Sequence, residues 1–284
     1  MHMTISEKAE VLIEALPYIQ RYNDKILVIK YGGSAMTDDT LKSSVMRDIV
    51  LLAQIGIKVV LVHGGGPEIT ETFNRMNIKS GFINGLRKTD KDAVEVVQMV
   101  LAGKVSKSLV NIIGNMGGVA ISLSGVDARL FEAKTISEEL GYVGNITKVN
   151  AKPVLDLLQM GYIPVISSVG CDSDGNIYNI NADMAAAKLA SELKAYSLIS
   201  MTDTKGIMKD QKDESSLIRE VTPSQAEELI NCGIVSGGMI PKVNCCMEAV
   251  RQGVNQVFII DGRVPHAILI EVLSDEGIGT MFKM

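Results

Sequence analysis

The sequence predicts an α/β fold, a three-layer αβα sandwich around a mainly parallel central sheet. Short β-branched runs alternate with helical patterns from about residue 25 onward, and these runs are apolar almost without a break. Such strands are expected where helices cover both faces of a parallel sheet, and the alternation itself favours this architecture. The predicted strands are residues 25–31, 57–63, 119–123, 162–167, 197–201 and 256–261. The predicted helices include residues 41–54, 90–101, 184–193, 223–231 and 241–252.

Length and composition agree with this class. The 284 residues suffice for one large unit or for two lobes that share a sheet, and the 46% hydrophobic content is ordinary for a globular protein. We expect an N-terminal segment at 1–24, a first lobe at 25–194 and a second lobe at 195–284. The boundary between the lobes is placed where one predicted helix ends and a new set of strands begins.

Charge and cysteine usage exclude several function classes. The net charge of −5 and the lack of a Lys/Arg run give no reason to expect a nucleic-acid partner. No signal peptide is visible, and no apolar run looks long enough to span a bilayer, so we expect a soluble, cytoplasmic protein. The cysteines lack paired metal-ligand spacing, which favours reduced thiols over disulfides or zinc. They are Cys171, Cys232, Cys245 and Cys246.

The N-terminal segment carries a helical pattern of its own. Thr4 and Glu7 have the spacing of a capping box, and Pro17 should kink the helix because it removes a backbone donor. From the pattern alone, packing of its apolar stripe on the same chain is favoured over an oligomerisation arm. The stripe consists of Ile5, Ala9, Leu12, Leu16 and Ile19.

Glycine clusters follow three of the predicted elements. They are Gly32-Gly33, Gly64-Gly65-Gly66 and Gly237-Gly238. Each cluster alone is more often a turn, but glycines before a helix N-terminus let backbone amides approach an anion. The chain has no P-loop, no dinucleotide fingerprint after its first strand and no protein-kinase motif set. Three clusters in one α/β chain therefore indicate a phosphate-handling protein outside those classes.

Longer motifs resemble the amino acid kinase family, and within it the acetylglutamate kinases, over roughly residues 25–282. Their combination and order carry the resemblance, because single motifs are shared across the family. Lys88 and Ser106 depart from the usual pattern at positions without an assigned catalytic role. The motifs are VIKYGGSAM at 28–36, VLVHGGGPEI at 60–69, NGLRKTD at 84–90, GYVGNITKVN at 141–150, YNINADMAA at 178–186 and SGGMIPKV at 236–243.

The resemblance implies phosphorylation of the side-chain carboxylate of N-acetyl-L-glutamate by ATP with Mg²⁺. A carboxylate is already ionised at neutral pH, so the reaction needs positioning and charge neutralisation and no general base. Lys30 and Lys242 would flank the transferred phosphoryl group, and Asp183 would hold both lysines by ion pairing. Asp183 could also simply complement the dipole of the helix that it begins.

Other ligand contacts follow from the same resemblance. Gly65 and Gly66 would meet the γ-carboxylate and phosphate, and Arg87, with Asn179 and Asn181 nearby, would bind the α-carboxylate. A surface salt bridge is the alternative for Arg87. No protein ligand is assigned to Mg²⁺, which phosphates and water would hold. The residues expected near ATP and its phosphates are Gly32, Gly33, Thr202, Asp203, Gly206, Gly237 and Gly238.

The chain ends resemble those of arginine-sensitive members. This resemblance reverses the preference for self-packing: the N-terminal helix would link dimers into a homohexamer, and arginine would bind between it and the C-terminal lobe. The expected arginine contacts are Lys209, His266, Glu271 and Gly277. The competing hypotheses are a kinase of aspartate, glutamate, carbamate or UMP, and an arginine sensor without catalysis. Both lysines and Asp183 are present, which argues against the sensor.

Overall fold

The computed structural model describes residues 4–210, 213–275 and 277–284. Its α-helices, α1 to α11, are Ile5–Glu14, Leu16–Tyr22, Asp39–Gln54, Gly66–Met76, Lys91–Gln98, Ser106–Asn115, Lys152–Gln159, Ala182–Glu192, Pro223–Asn231, Met239–Arg251 and Ala267–Leu273. Its strands, β1 to β14, are Ile26–Tyr31, Lys58–His63, Phe82–Ile83, Leu86–Arg87, Ala120–Ser124, Phe131–Thr135, Val143–Val149, Ile163–Ser167, Val169–Cys171, Ile177–Ile180, Ser197–Thr202, Glu220–Val221, Gln256–Asp261 and Thr280–Phe282.

Eight strands form the central sheet in the order β12-β14-β13-β11-β1-β2-β8-β5. The six strands predicted from sequence are all present and pair in parallel with one another. Strand β14 pairs antiparallel with β13, so the sheet is mainly and not wholly parallel. The predicted α/β class is therefore confirmed. The strands of the two predicted lobes meet where β1 pairs with β11, although the lobe boundary itself stays a prediction.

Side chains of β1 alternate between two hydrophobic cores, one on each face of the sheet. Leu27 and Ile29 belong to the core covered by α3, α6 and α11, whereas Val28 belongs to the core covered by α8 and α10. Because both faces are buried, β1 is apolar almost throughout. The few polar groups at its carboxyl end are therefore confined between helices.

A small closed barrel of β10-β7-β6-β9 sits beside this sheet and was not predicted. Its strands are three to seven residues long, and β7 alternates between buried and exposed residues only in part. Such short runs give little periodic signal, and their pairing depends on contacts distant in sequence. The barrel carries Asn179 to the edge of the sheet.

One helical run, Lys91–Asn115, is long and apolar enough to cross a membrane by length and composition alone, which is an exception to the sequence-based expectation. The run packs as a core helix of the sandwich, with Val97, Leu101 and Leu109 buried. Between α5 and α6 it is π-helical at Met99–Val105.

The N-terminal segment folds as predicted into two helices that meet at a break. Glu7 and Thr4 form both hydrogen bonds of the capping box, and α2 begins at Leu16, directly before Pro17. Helix α1 buries none of its residues, and Ile5 and Leu12 are 88% and 72% exposed. Self-packing of the apolar stripe is thus wrong for α1, whereas α2 anchors the segment through the buried Tyr22.

Candidate active site

The site lies at the carboxyl edge of the sheet, where β1, β2 and β11 end and α4, α8 and α10 begin. Lys30 is the second-last residue of β1 and is 5% exposed. Asp183 lies in the first turn of α8, and Lys242 in the first turns of α10. Parallel strands bring their carboxyl ends together, so three residues far apart in sequence meet here.

Asp183 bridges the two lysines. Its Oδ1 lies 3.0 Å from Lys30 Nζ, and its Oδ2 lies 2.8 Å from Lys242 Nζ. Burial alone would raise the pKa of the Asp183 carboxyl, but the two ammonium ions outweigh it and lower that pKa to about 2. Burial opposes a charge on Lys242, yet Asp183 leaves the pKa of Lys242 raised. Asp183 and Lys242 are therefore both ionised at neutral pH.

The Gly32-Gly33 turn leaves room for Lys30 of this cluster and for the neighbouring Asp203. A Cβ on Gly32 would lie 2.9 Å from Lys30 Nζ, and one on Gly33 would lie 2.5 Å from Asp203 Oδ1. Gly33 also has a φ of +72°, which side chains rarely adopt. These two glycines are thus required by close approach and by backbone conformation.

A cavity of about 780 Å³ opens beside the lysine pair. It brings together the catalytic candidates Lys30 and Asp183 and the predicted acceptor contacts, namely Gly65, Gly66, Arg87, Asn179 and Asn181. Gly66 begins α4, and a Cβ there would meet nothing within 4 Å because it faces open space. Backbone amides at this helix start are available to an anion.

Arg87 is positioned by aromatic rings and not by a carboxylate. Its guanidinium stacks on Phe82 at 4.7 Å and on Phe73 at 5.4 Å. It donates hydrogen bonds to Thr70 Oγ1 and Gly66 O. No salt bridge of Arg87 occurs among the described residues, so its charge is available to a ligand.

The two asparagines act differently. Asn181 caps α8, because its Oδ1 accepts hydrogen bonds from the amides of Asp183 and Met184. Asn179 donates from Nδ2 to Thr89 Oγ1 at 3.2 Å and lines the cavity from β10. Asn181 therefore fixes the helix start that carries Asp183, a role that the sequence did not predict.

A second cavity, of about 270 Å³, lies on the side of β11 and α10. Asp203 and Gly206 line it, and Asp203 lines the larger cavity too. Thr202 does not line it: this residue is buried, and its Oγ1 is hydrogen-bonded within the loop at Thr204. Gly237 and Gly238 lie between two lining residues, and Gly238 caps α10.

The four expected arginine contacts do not come together. Glu271 and Gly277 line a cavity of about 240 Å³ beside α2. His266 instead has a left-handed conformation at the start of α11, and its Nδ1 lies 2.6 Å from Asp48 on α3. Lys209 is exposed in the loop after β11, and its amide donates to Ser216 O outside that cavity. His266 and Lys209 thus lie outside the lining of this cavity, and their contact with arginine stays a prediction.

Several lining residues were missed by sequence reasoning. Phe82 and Ser168 line the large cavity, and Tyr18, Arg219 and Asp275 line the cavity beside α2. Phe82 had a usable signal, because the Asn84-Gly85 turn is typical of a two-residue hairpin, which pairs Phe82 with Arg87. The others depend on loop geometry without a local pattern.

Fold and site together define an α/β protein whose large cavity opens beside a cluster of two lysines and one aspartate. The model of the amino acid kinase family matches residues 25–261. The chain belongs to the amino acid kinase family.

Curated relatives match the chain along nearly its full length. The acetylglutamate kinase of Clostridium beijerinckii is 55% identical over 279 residues, which cover 97% of this chain and 98% of that protein. The acetylglutamate kinase of Brachyspira hyodysenteriae is 50% identical, with 97% and 96% covered.

Solved structures give the same fold. A Streptococcus mutans protein is 30% identical, with a TM-score of 0.76, covering 91% of this chain and 98% of that one. N-acetylglutamate synthase from Neisseria gonorrhoeae has a TM-score of 0.86 at 24% identity, covering 97% of this chain and 63% of the synthase. The likeness to the synthase shows the fold alone.

Proposed function

We propose that this kinase transfers the γ-phosphoryl group of ATP to the γ-carboxylate of N-acetyl-L-glutamate, forming N-acetyl-L-glutamyl 5-phosphate for arginine biosynthesis. The observation that carries the proposal is the Lys30–Asp183–Lys242 cluster, placed next to two cavities that share Asp203. Curated relatives that carry the name acetylglutamate kinase support the choice of acceptor.

The residues of the cluster account for the chemistry. The acceptor carboxylate has a reference pKa of about 4.3 and is ionised at neutral pH, so it attacks without a general base. Lys30 and Lys242 neutralise charge on the transferred phosphoryl group, and Asp183 orients both ammonium ions. Because Asp183 stays ionised, it acts as an organiser and takes no proton.

The larger cavity is the proposed acceptor site. Arg87 binds the α-carboxylate through its guanidinium fork, with Asn179 beside it on β10. The amides of Gly65 and Gly66 meet the γ-carboxylate and the incoming phosphate at the start of α4. Asn181 contributes by holding the start of α8.

The smaller cavity is the proposed nucleotide site. Gly206 and the segment around Gly237 and Gly238 surround the nucleotide, while Gly32 and Gly33 face its phosphates. Mg²⁺ would be held mainly by phosphate oxygens and water. Among the described residues no three potential metal ligands cluster, and the Asp203 carboxylate is the acidic group shared by both cavities. When bound, the metal adds positive charge to the phosphates.

A substrate panel tests this function. Release of ADP is measured with N-acetyl-L-glutamate, L-glutamate, L-aspartate, carbamate and UMP, and hydroxylamine is added to trap any acyl phosphate as a hydroxamate. We expect ADP and hydroxamate in equal amounts with the acetylated substrate only. Turnover of another acceptor in its place, or ADP release without hydroxamate, would contradict the proposal.

We further propose regulation by arginine at the cavity beside α2. Glu271 and Gly277 line this cavity together with Tyr18, so an N-terminal helix and the C-terminal segment border the same cavity. Both carboxylates and arginines surround it, which suits an amino acid with a guanidinium group. Glu271→Gln should weaken inhibition by arginine, and turnover measured without arginine serves as the reference for each enzyme. Unchanged inhibition in this variant would argue against Glu271.

The exposed face of α1 is the proposed contact that joins dimers into a cytoplasmic homohexamer. Leu12 is largely exposed in the single chain, so Leu12→Lys leaves the fold of the chain intact while adding charge to the contact. Light scattering should report about six times the 30.6 kDa chain mass for the wild type and about twice that mass for the variant. A variant that remains hexameric would contradict this role of α1.

A further inference from the structure

The π-helical segment Met99–Val105 changes which residues of its helix face the active site. At its end the Ser106 amide donates to Leu101 O, five residues earlier, in place of the usual four. Leu101 and Ser106 therefore both face the interior, and each is about 1% exposed. Leu101 packs on Gly65, where a Cβ would lie 2.6 Å from Leu101 Cδ2. Such π segments recur at functional sites.

Ser106 contacts a histidine that the proposed mechanism leaves without a role. His63 ends β2 and is fully buried. Its Nδ1 lies 2.7 Å from Gly64 O, and its Nε2 lies 2.7 Å from Ser106 Oγ. A carbonyl oxygen only accepts, so Nδ1 carries the proton. Burial lowers the pKa of His63 to about 4, so the ring is neutral and Nε2 accepts from the Ser106 hydroxyl.

The hydrogen bond from His63 fixes a peptide plane of the glycine loop. A planar trans peptide holds its C=O and N–H in opposite directions. Because Gly64 O is held against the buried ring, the Gly65 N–H is directed away from it, to the side on which Gly64, Gly65 and Gly66 line the large cavity. The preceding plane is fixed as well, since Gly64 N donates to Tyr31 O. No described residue accepts a hydrogen bond from the Gly65 amide.

We propose that His63 and Ser106 are positioning residues that aim the Gly65 amide at the reacting oxygens. This inference rests on the proposed function, in which that amide meets the γ-carboxylate and the transferred phosphoryl group. The π segment determines that Ser106 faces β2. Without its extra residue, the helix would turn the position after Val105 away from that strand. His63 touches neither substrate and acts through the Gly64–Gly65 peptide.

Ser106→Ala tests the first link. It should lower kcat about tenfold, the value of one lost hydrogen bond, while KM for ATP stays within about twofold because the nucleotide cavity is untouched. Ser106→Thr keeps the hydroxyl and should restore most of kcat. Ser197→Ala removes another buried hydroxyl, at the amino end of β11, and should leave kcat unchanged. Equal kcat in the Ser106→Ala and Ser197→Ala variants, or equal loss with Ala and Thr at 106, would overturn the proposal.

His63 variants test the second link. The amide nitrogen of an asparagine lies near the position of Nδ1, and that of a glutamine near the position of Nε2. His63→Asn keeps a donor for Gly64 O and loses only the Ser106 contact, so its kcat should match that of Ser106→Ala. His63→Gln loses the donor that holds Gly64 O and should be about tenfold slower than His63→Asn. A higher kcat for His63→Gln than for His63→Asn would show that catalysis depends on contact with Ser106 and not on the orientation of Gly64.

Nitrogen NMR of the ring separates this inference from the proposed function. The chain has three histidines, and His63→Asn identifies the relevant signals. We expect a protonated Nδ1 and an unprotonated Nε2 at every pH from 6 to 8. A protonated Nε2 would overturn the hydrogen-bond assignment. If the wild type shows no turnover of N-acetyl-L-glutamate, the proposed function fails, and the ring signals still decide whether His63 holds Gly64.

Discussion

Asp183→Asn removes one negative charge from between two lysines while it keeps the size of the side chain. In the wild type both carboxylate oxygens are engaged, at 3.0 Å from Lys30 and 2.8 Å from Lys242. The amide can still accept a hydrogen bond through its single oxygen, but it cannot balance two ammonium ions. The expected effects are a loss of stability and a larger loss of turnover.

The stability effect follows from the pKa of Asp183. Its fall from 3.8 to about 2 corresponds to about 2 to 3 kcal/mol in favour of the ionised, folded state. Because the folded pKa is the lower one, this contribution is present above about pH 4 and is lost as the pH falls toward 2. Asp183→Asn should therefore lower the free energy of unfolding in urea by about 2 kcal/mol, equally at pH 5 and pH 8. A difference that changes between these two pH values would refute the assigned pKa.

The kinetic effect tests whether Asp183 organises the two lysines for catalysis or only competes with phosphate for their charges. With its orienting partner gone, each lysine loses a fixed position, and kcat should fall about 100-fold. KM for ATP should not rise, because the positive charge that attracts the nucleotide remains. Asp156→Asn is the control, since it removes an exposed i,i+4 ion pair with Lys152 and should change neither quantity. A kcat within threefold of wild type in Asp183→Asn would refute the reasoning.

Three further predictions follow from charges and close contacts. Turnover should be independent of pH from 6 to 9, because the charged and buried groups near the site titrate outside this range. The pKa of Asp183 is about 2, that of His63 is about 4, and that of Lys242 is raised. An inflection of kcat near pH 7 would contradict this. Gly32→Ala should lower kcat at least tenfold, since the new Cβ would lie 2.9 Å from the Lys30 ammonium, whereas Gly114→Ala, with nothing within 4 Å, should leave turnover unchanged. Burial raises the pKa of the Asp48 carboxyl beside His266, so its contribution to wild-type stability is lost as the pH rises from the ordinary value of 3.8 through the raised one. The thermal stability of Asp48→Asn relative to wild type should therefore increase as the pH rises through this range, and a declining difference would be the contrary result.

The sequence predicted those strands best whose two faces are both buried. Strands such as Ile26–Tyr31 and Gln256–Asp261 are covered on both faces, so their apolar runs predicted them almost to the residue. Strand Ile177–Ile180 is short and half-buried, and a pattern over four residues is too short to distinguish a strand from a helix. The barrel that contains this strand was therefore not predicted, although it carries Asn179 into the site.

Side-chain direction was less predictable than element position. His266 and Glu271 lie in one C-terminal segment, yet only Glu271 reaches the cavity beside α2. The left-handed backbone at His266 turns its ring to Asp48, and a non-glycine residue in that conformation has no clear sequence signal. The π segment before Ser106 is similar, because one extra residue per turn leaves the composition of the helix unchanged.

The order of the strands explains why the ion cluster matters to the whole molecule. Strand β1 lies between β11 and β2, so Lys30 stands at the seam of the two predicted lobes. Asp183 comes from the first lobe and Lys242 from the second, and their 2.8 Å contact crosses that seam over the site. In the proposed function Asp183 keeps both ammonium ions in place while they meet the phosphate, so the ion pair that joins the predicted lobes would stay formed during transfer. We therefore expect the geometry of the lysine pair to depend on how the two predicted lobes sit against each other at this carboxylate.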